Sequence, residues 1–448
     1  MSASLRVTAA GREAPTQPAL ITDARAWSYA ELAAEVARRA GELRGCLEAR
    51  RGDRAALVAH ARVSSLVDLY ALLEMEMCAV LLHPRWTAPE RARVRDAVLP
   101  RVVLDDDERV FPPRVRAARS AVVVYTSGST GRPKGIALSR RALVAAARAH
   151  AAHLGWRDDD RWLLALPPAH VGGLSIVTRC LAARRAVVLA PAAFDPAGLA
   201  EALQRHRVTL LSVVPTMLRR LLDAGVAPPR SLRAALVGGA PLSPALLAAG
   251  RAAGWPLLPT YGLSEAAAQV CTQHPDEPRA DGVGPPLPGV RVRVRDGEIE
   301  VGGPTLLDGY LPVAPATFTP WRGGFLATGD LGWLDEEGHL HVRGRADDRL
   351  ISGGENVDPV EVEHALEALP QVRAALVFAL PDEVWGERVA AEVVATDPAS
   401  PPDLAAIRAA LGGVLAAYKH PRALFVTEAL SLSSSGKKDR RAARERGR

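Results

Sequence analysis

The chemistry-bearing residues of this chain fall into short runs. The densest is Thr126-Ser127-Gly128-Ser129-Thr130-Gly131, followed by Lys134-Gly135. Glycines let the backbone turn tightly and bring N–H groups against a ligand. The hydroxyls add donors, and Lys134 adds a compact positive charge. Successive N–H groups, hydroxyls and a cation suit a polyphosphate. The run is not a Walker A loop, because Gly135 rather than Ser or Thr follows Lys134. A Gly/Ser surface turn is the plain alternative. His170 lies in Pro167–Leu174, a turn beyond an apolar strand, where open α/β sheets bind ligands; a structural histidine is the competing reading. Gly238-Gly239-Ala240 also stops a strand at glycines and allows a planar ligand to approach. Asp330, in Thr328-Gly329-Asp330, can accept both hydroxyls of a ribose or be a buried turn residue. Lys437 follows a Ser/Gly run near the C-terminus.

The elements around these residues alternate. Val122–Tyr125 reads as a buried strand, and an Ala-rich helix is expected over about Ser139–His153. Before it, Ser28 and Glu31 form a capping box for a helix over Ala30–Arg44. Ala55–His60 and Ala79–Leu82 are candidate strands and Leu66–Leu73 a helix; His60 and His83 read as structural. After the glycine-hydroxyl loop come strands at Arg161–Leu166, Ala186–Leu189, Val208–Val214 and Ala234–Val237, with a helix from Pro215 to about Ala224. This is a second βα array, hence a second sheet. Hairpins follow at Val290–Val301, closed by Asp296-Gly297, and at Trp333–Val342. From Asp348 onward the pattern is a compact α+β unit. Its helix starts at Asp358 (N-cap), Pro359 and Glu361, strands lie at Ala374–Ala379, Val389–Val394 and Arg422–Val426, and a helix is expected over Leu404–Leu415. The fold class expected is α/β: a large N-terminal domain of layered βα subdomains with a β-barrel-like part, and a small mobile α+β C-terminal domain. The domains are expected at 1–346 and 347–448, with a hinge near Asp347.

At 448 residues, 48% hydrophobic and 24% charged, the chain fits a multidomain globular protein. The four cysteines (46, 78, 180, 271) lack metal-ligand or disulfide spacing. No apolar signal core opens the chain, and no apolar run reaches the ~18–20 residues of a membrane helix. A cytoplasmic location without a membrane span is expected. The net charge of +6 is dispersed, which argues against nucleic acid; the block Lys437–Arg448 reads as a solvated tail. Only four of the 56 basic residues are lysines (134, 419, 437 and 438), the rest being arginine. A lysine retained in such a sequence marks a place where a point charge is needed and a planar fork does not serve.

The order of Thr126–Gly135 resembles the phosphate loop of the adenylate-forming superfamily, which includes acyl-CoA synthetases, peptide-synthetase adenylation domains and luciferases. Tyr261-Gly262-Leu263-Ser264-Glu265 is similar to that superfamily's Tyr-Gly-x-Thr-Glu, with Ser264 keeping the hydroxyl. Ser433–Lys437 resembles its terminal Ser/Thr-Gly-Lys motif. The resemblance runs from about Trp27 to Lys437. It implies that a small-molecule carboxylic acid attacks the α-phosphorus of ATP, pyrophosphate leaves, and the thiol of coenzyme A then takes the acyl group. Thr126–Gly131 and Lys134 would hold the phosphates and Glu265 the Mg²⁺ ion, which favours carboxylate, phosphate and water oxygens. Tyr261 would stack on adenine, Ser264 would bond the α-phosphate, and Gly239, Ala240 and Gly262 would line the adenine and acyl sites. Asp330 and Arg345 would orient the ribose, and His170 would face the acyl pocket. Lys437, on a mobile tail, would bridge carboxylate and phosphate and withdraw as the small domain turns about Asp347. The Gly353-Gly354 loop would then admit coenzyme A. Where the superfamily often has an aromatic residue before this histidine, the chain has Ala169. The runs Leu166–Thr178, Thr260–Thr272 and Ser352–Pro359 look like those of the 2-succinylbenzoate–CoA ligases of menaquinone synthesis. The second carboxylate of such a substrate needs a cationic or hydroxyl partner, for which Arg179 and Thr178 are candidates. Another aryl- or acyl-CoA ligase, or a stand-alone domain loading a carrier protein, shares the same motifs; a homodimer is compatible with all of them.

Overall fold

The computed structural model describes residues 4–47, 50–100, 102–104, 120–127, 133–189, 194–311, 321–352, 355–382, 385–433 and 436–447. Two sheets carry parallel βα layers. In the first, Arg54–Val58, Cys78–Leu82 and Val122–Ser127 run parallel beside Val102–Leu104. Pro133–Leu138 and then Gly309–Leu311 extend that sheet antiparallel. The second sheet has parallel strands at Pro18–Ile21, Ala186–Leu189, Arg161–Leu164, Leu210–Val213, Ala234–Val237 and Leu257–Leu263, edged by antiparallel Ala26–Ser28 and Ala268–Thr272. Their cores are built from Ala, Val and Leu, with Trp162 fully buried, which is how a chain with 4% aromatics fills its interior.

A third, antiparallel sheet joins Arg291–Arg295, Glu298–Gly302, Phe325–Leu334, Trp321–Arg322 and Leu340–Arg345. Its first hairpin turns at Asp296 (φ 51°) and Gly297 (φ 79°), the left-handed pair that a two-residue turn demands. From Leu350 onward a separate sheet carries its own core, with Val372–Asp382 and Gly386–Ala395 paired antiparallel and Ala423–Val426 parallel beside them. The helix Pro359–Glu367 covers it, its Asp358 side chain accepting from the Val360 amide.

Four expectations needed correction. The chain does not pass from the glycine-hydroxyl run straight to a helix: Pro133–Leu138 is a strand, because Ile136 and Leu138 are buried against the sheet. The helix Arg140–Leu154 then starts at Ser139, whose hydroxyl accepts from the Ala142 amide. The Pro167–Leu174 turn is shorter than expected, and a helix runs over Val171–Ala183 with His170 as its N-cap. There a Cβ on Gly173 would stand 2.3 Å from the Pro167 carbonyl oxygen, so this glycine serves a tight turn-to-helix contact. The C-terminal block is not a solvated tail: Arg440–Arg446 is a helix whose Ala443 is buried beside Phe378 and Leu380. The helix expected over Leu404–Leu415 stops at Leu411, before Gly412-Gly413, where helix propensity fails.

Candidate active site

The two parallel sheets and the third sheet direct one residue set into a shared cleft. Val122–Ser127 and Pro133–Leu138 pair Thr126 with Lys134 and Ser127 with Pro133. The expected phosphate-cradle residues Gly128, Ser129, Thr130 and Gly131 lie outside the described residues, as do Gly353 and Gly354. Behind that pair, Gly135 leaves no room for a side chain: a Cβ would meet the Leu311 carbonyl oxygen at 2.7 Å and Tyr125 at 2.9 Å. The ammonium of Lys134 sits 3.5 Å from the centroid of the Tyr310 ring, a cation–π contact. Tyr310 in turn donates its hydroxyl to Glu265.

Glu265 sits in a single helical turn, Ser264–Ala266, after the strand Leu257–Leu263. Burial raises its carboxyl pKa, while Lys134 and Arg345 pull it back. A backbone crossing explains the preceding Gly262, where a Cβ would lie 2.1 Å from the Ala268 carbonyl oxygen. On the third sheet Asp330 faces Arg345 across the register. Its Oδ1 is 3.2 Å from Arg345 Nη1, and its Oδ2 accepts from the Tyr261 hydroxyl at 2.6 Å. Burial raises its pKa too, against the opposing pull of Arg345 and Tyr261.

Lys437 enters from the small C-terminal unit. It is not on a loose tail: Ser433 N donates to the Lys437 carbonyl at 2.8 Å, Gly436 N to Ser433 at 2.9 Å, and Asp439 N to Ser431 at 2.8 Å, closing a tight hairpin. The hairpin docks on the large unit through the Thr216 hydroxyl, which donates to the Gly436 carbonyl at 2.8 Å. A Cβ on Gly239 (φ 78°) would lie 3.7 Å from Lys437 Cε, so the lysine stem runs along the Gly238–Ala240 turn. One side of the cleft is open and leaves Lys437 exposed. Protein on the other sides lowers its pKa, with Asp330 and Glu265 opposing that shift. Lys134 is lowered for the same reason, with Glu265 opposing.

Lys134, Lys437 and Arg345 thus face Glu265 and Asp330, an excess of one positive charge that suits an anionic phosphate chain. Among the described residues no group of three or more His, Cys, Asp or Glu could hold a metal by itself. Mg²⁺ is held by few protein carboxylates together with phosphate oxygens and water, and Glu265 is the carboxylate in this cleft that would serve it.

His170 is packed against His83, ring centroids 4.9 Å apart. The Nε2 atoms of both are buried without a partner. Burial pulls both pKa values down to about 4, with Arg85 adding to the effect on His83 and with His83, Lys437 and Arg85 adding to that on His170. Both are therefore neutral at pH 7. His83 Nδ1 accepts from the Arg85 amide at 3.1 Å, which puts its proton on Nε2.

Three participants were not singled out from sequence. Thr216 was signalled only by its place after a strand end, beside Pro215. Tyr310 stands in Gly303-Pro304…Gly309-Tyr310, a pattern that the superfamily also shows but that gives the tyrosine no task. Gln269 lay within the signature run around Thr272, and the structure gives it a task. Its Oε1 takes hydrogen bonds from Arg179 Nη1 and from His150 Nδ1, and its Nε2 donates to Thr272 at 2.8 Å. Arg179 is 2% exposed, and its Nε and Nη2 are buried without partners. Burial pulls its pKa down to about 9, the mark of a guanidinium lacking a counter-charge. Thr178, the other candidate, spends its hydroxyl on the Leu174 and Ser175 carbonyls of its own helix.

Comparison with known proteins identifies the family. The AMP-binding enzyme family matches residues 7–120 and 104–311, and its C-terminal domain matches 361–437. A 2-succinylbenzoate–CoA ligase of Bacillus pumilus is 32% identical over 97% of this chain and 96% of its own. The o-succinylbenzoate CoA synthetase of Bacillus subtilis with its acyl-adenylate intermediate superposes with a TM-score of 0.86 at 31% identity, covering 97% of this chain and 96% of that one. A double mutant of that synthetase bound to a product analogue gives 0.71 at 30% identity over 98% of each chain. Among the described residues no helix is long and apolar enough to cross a membrane. The chain belongs to the AMP-binding enzyme family.

Proposed function

We propose that the chain is an AMP-forming acid–CoA ligase acting on 2-succinylbenzoate for menaquinone synthesis. The observation that carries the ligase reading is the arrival of Lys437, from the small unit, beside Gly239, Glu265 and Asp330 of the large one. A carboxylate oxygen attacking the α-phosphorus spreads negative charge over phosphate oxygens, so fixed cations and positioning supply most of the catalysis. Lys134 and Thr126 would hold the leaving phosphates, Glu265 would hold Mg²⁺, Asp330 and Arg345 would fix the ribose end, and Tyr261, its hydroxyl bonded to Asp330, would offer its ring to the adenine. Lys437 neutralises charge between the acid and the phosphate. The short turn Ala346–Asp348, exposed at Asp347, is the pivot by which the small unit withdraws Lys437 and brings the Gly353-Gly354 loop to the thioester step with coenzyme A.

The substrate choice rests on Arg179. A buried guanidinium with two unpaired nitrogens costs free energy, and the far carboxylate of a dicarboxylic acid removes that cost. Gln269 and Thr272 hold the guanidinium in place, which accounts for the signature run around them. Pyrophosphate release across a panel of aryl acids, with coenzyme A present and absent, tests both parts. 2-Succinylbenzoate should be the preferred acid, and full turnover should need coenzyme A. Arg179→Gln should lower kcat/KM for it by roughly 10–100-fold, as expected for losing a charge-assisted hydrogen bond, while leaving monocarboxylic acids little changed. No turnover of 2-succinylbenzoate would reject the substrate, and equal loss for both acid classes would reject the role of Arg179.

A further inference from the structure

The hairpin that presents Lys437 is held by a buried charge cluster that the reaction does not use. Lys438 Nζ donates to Glu363 Oε2 at 2.8 Å and to Glu367 Oε1 at 3.1 Å. Arg440 Nη2 donates to Glu363 Oε1 at 2.7 Å, and its Nη1 lies 3.8 Å from Asp348, next to the pivot. Glu363 and Glu367 are four residues apart and share one face of the helix Pro359–Glu367. Both also accept from the neighbouring strand, from the amides of Val377 and Ala375 at 3.0 and 3.2 Å. The helix, the strand, the hairpin and the pivot are therefore tied at one point.

Buried ion pairs add little stability over apolar packing of the same volume, so stability alone does not account for this cluster. Its position does. Lys438 bridges Leu432 across the hairpin, and adjacent residues of an extended strand point to opposite faces. With Lys438 fixed toward the helix, Lys437 is turned toward the large unit. Lys438 is also one of only four lysines in the chain. A single ammonium reaches two carboxylates from one point, which a planar guanidinium does less compactly.

The cluster also lies against the large unit, where the helix Pro359–Glu367 packs on the helix Pro244–Ala252. Burial opposes the charge on Glu367, yet Lys438 and the Ser243 hydroxyl hold its pKa below the usual carboxylate range. Ser243 is the N-cap of the helix Pro244–Ala252 and accepts from the Leu246 amide. Its own proton is therefore available for Glu367. Ser243 is 3% exposed.

We propose that Lys438, Glu363 and Glu367 form a positioning clamp that aims Lys437 for adenylation, and that the Glu367–Ser243 contact is a latch made only while the small unit holds this arrangement. The clamp rests on the reading of Lys437 as the adenylation lysine. Rotation of the small unit for the thioester step carries the clamp with it and leaves Ser243 behind.

Two variants of the full-length enzyme test this, each with its half-reactions measured separately: pyrophosphate release with acid and ATP, and thioester formation from supplied acyl-adenylate and coenzyme A. Ser243→Ala removes the latch donor together with the cap of the helix Pro244–Ala252; it should slow adenylation about 3–10-fold while leaving thioester formation unchanged or faster, a split that loss of the cap alone does not produce. Lys438→Met should slow adenylation tenfold or more and spare the second step, and Lys438→Arg should restore part of the loss. If Lys438→Met does not fold, Ser243→Ala decides alone. Equal slowing of both half-reactions by Lys438→Met would overturn the clamp, and no change in adenylation with Ser243→Ala would overturn the latch. Lys437→Ala serves as the reference. If it leaves adenylation intact, the role given to Lys437 fails; if it abolishes adenylation while Ser243→Ala does nothing, only the latch fails.

Discussion

Lys134 and Lys437 are the same side chain aimed at the same carboxylate, yet they are held in opposite ways. Lys134 lies on a strand inside one sheet, between Val122–Ser127 and Gly309–Leu311, with Tyr310 under its ammonium. Every contact named for it comes from the large unit. Lys437 stands on a hairpin of the small unit and meets the large one through Thr216 and the Gly239 turn. One cation is a permanent fixture and the other depends on lobe arrangement. In the two-step reaction proposed above, this would separate a charge that binds the nucleotide from a charge present at only one step.

Removing the conditional cation should have the largest effect. Lys437→Ala should cut adenylation by roughly 10²–10³-fold, the usual cost of deleting one donor aimed at developing charge. The loss should fall on kcat at saturating ATP, with thioester formation from preformed adenylate preserved. The pH profile sharpens the point. Partial desolvation of the Lys437 ammonium by the protein around it lowers its pKa although one side stays open, so it loses the proton at a pH below the ordinary lysine value, and adenylation should fall on the alkaline side. Lys437→Arg, which stays charged throughout that range, should move the limb to higher pH even if its rate is lower. An alkaline limb unmoved by this variant would show that Lys437 does not set it.

Removing the permanent cation should act differently. Lys134→Ala should raise the KM for ATP roughly 10–100-fold, with a smaller effect on kcat, because its interaction exists from the moment the nucleotide binds. If both lysine variants gave the same split between kcat and KM, the distinction drawn from their supports would be wrong.

The same contrast explains what was legible in the sequence. Thr126, Lys134, Tyr261, Glu265 and Asp330 stand in short runs at strand ends, so type and spacing alone expose them. Their meeting in one cleft follows from strand order, which puts the C-terminal ends of the parallel strands together. Thr216 carries no such local signature, and Gln269 and Lys438 are marked only by a shared run and by the scarcity of lysine, neither of which names a partner. Each acts through a partner far along the chain, Gly436, Arg179 and Glu363 respectively, and pairing across such distances is a property of the fold. The helix after His170 was hidden for a related reason. Gly172 and Gly173 look like turn residues, and only the approach of Leu166 and Pro167 reveals the packing they serve. The hairpin bearing Lys437 was read as a mobile tail because its Ser/Gly composition matches one. What orders it is backbone hydrogen bonding around Ser433 and the buried Ser431, whose amide and hydroxyl both bond Glu392.

The smallest expected effect probes the support rather than the charge. The Thr216 hydroxyl gives the Gly436 carbonyl a 2.8 Å hydrogen bond across the two units, and such a bond contributes about 0.5–1.5 kcal/mol net. Thr216→Val keeps the shape and removes the donor. If that bond helps to hold Lys437 in place, adenylation should slow about 2–10-fold with Lys437 itself intact, and the KM for ATP should hardly move, because Lys134 is untouched. The thermal midpoint should stay nearly constant, since the bond joins two units that each carry a core of their own. A rise in the KM for ATP as large as that of Lys134→Ala would mean that the docking hairpin helps bind nucleotide, and the division between a fixed and a conditional cation would have to be redrawn.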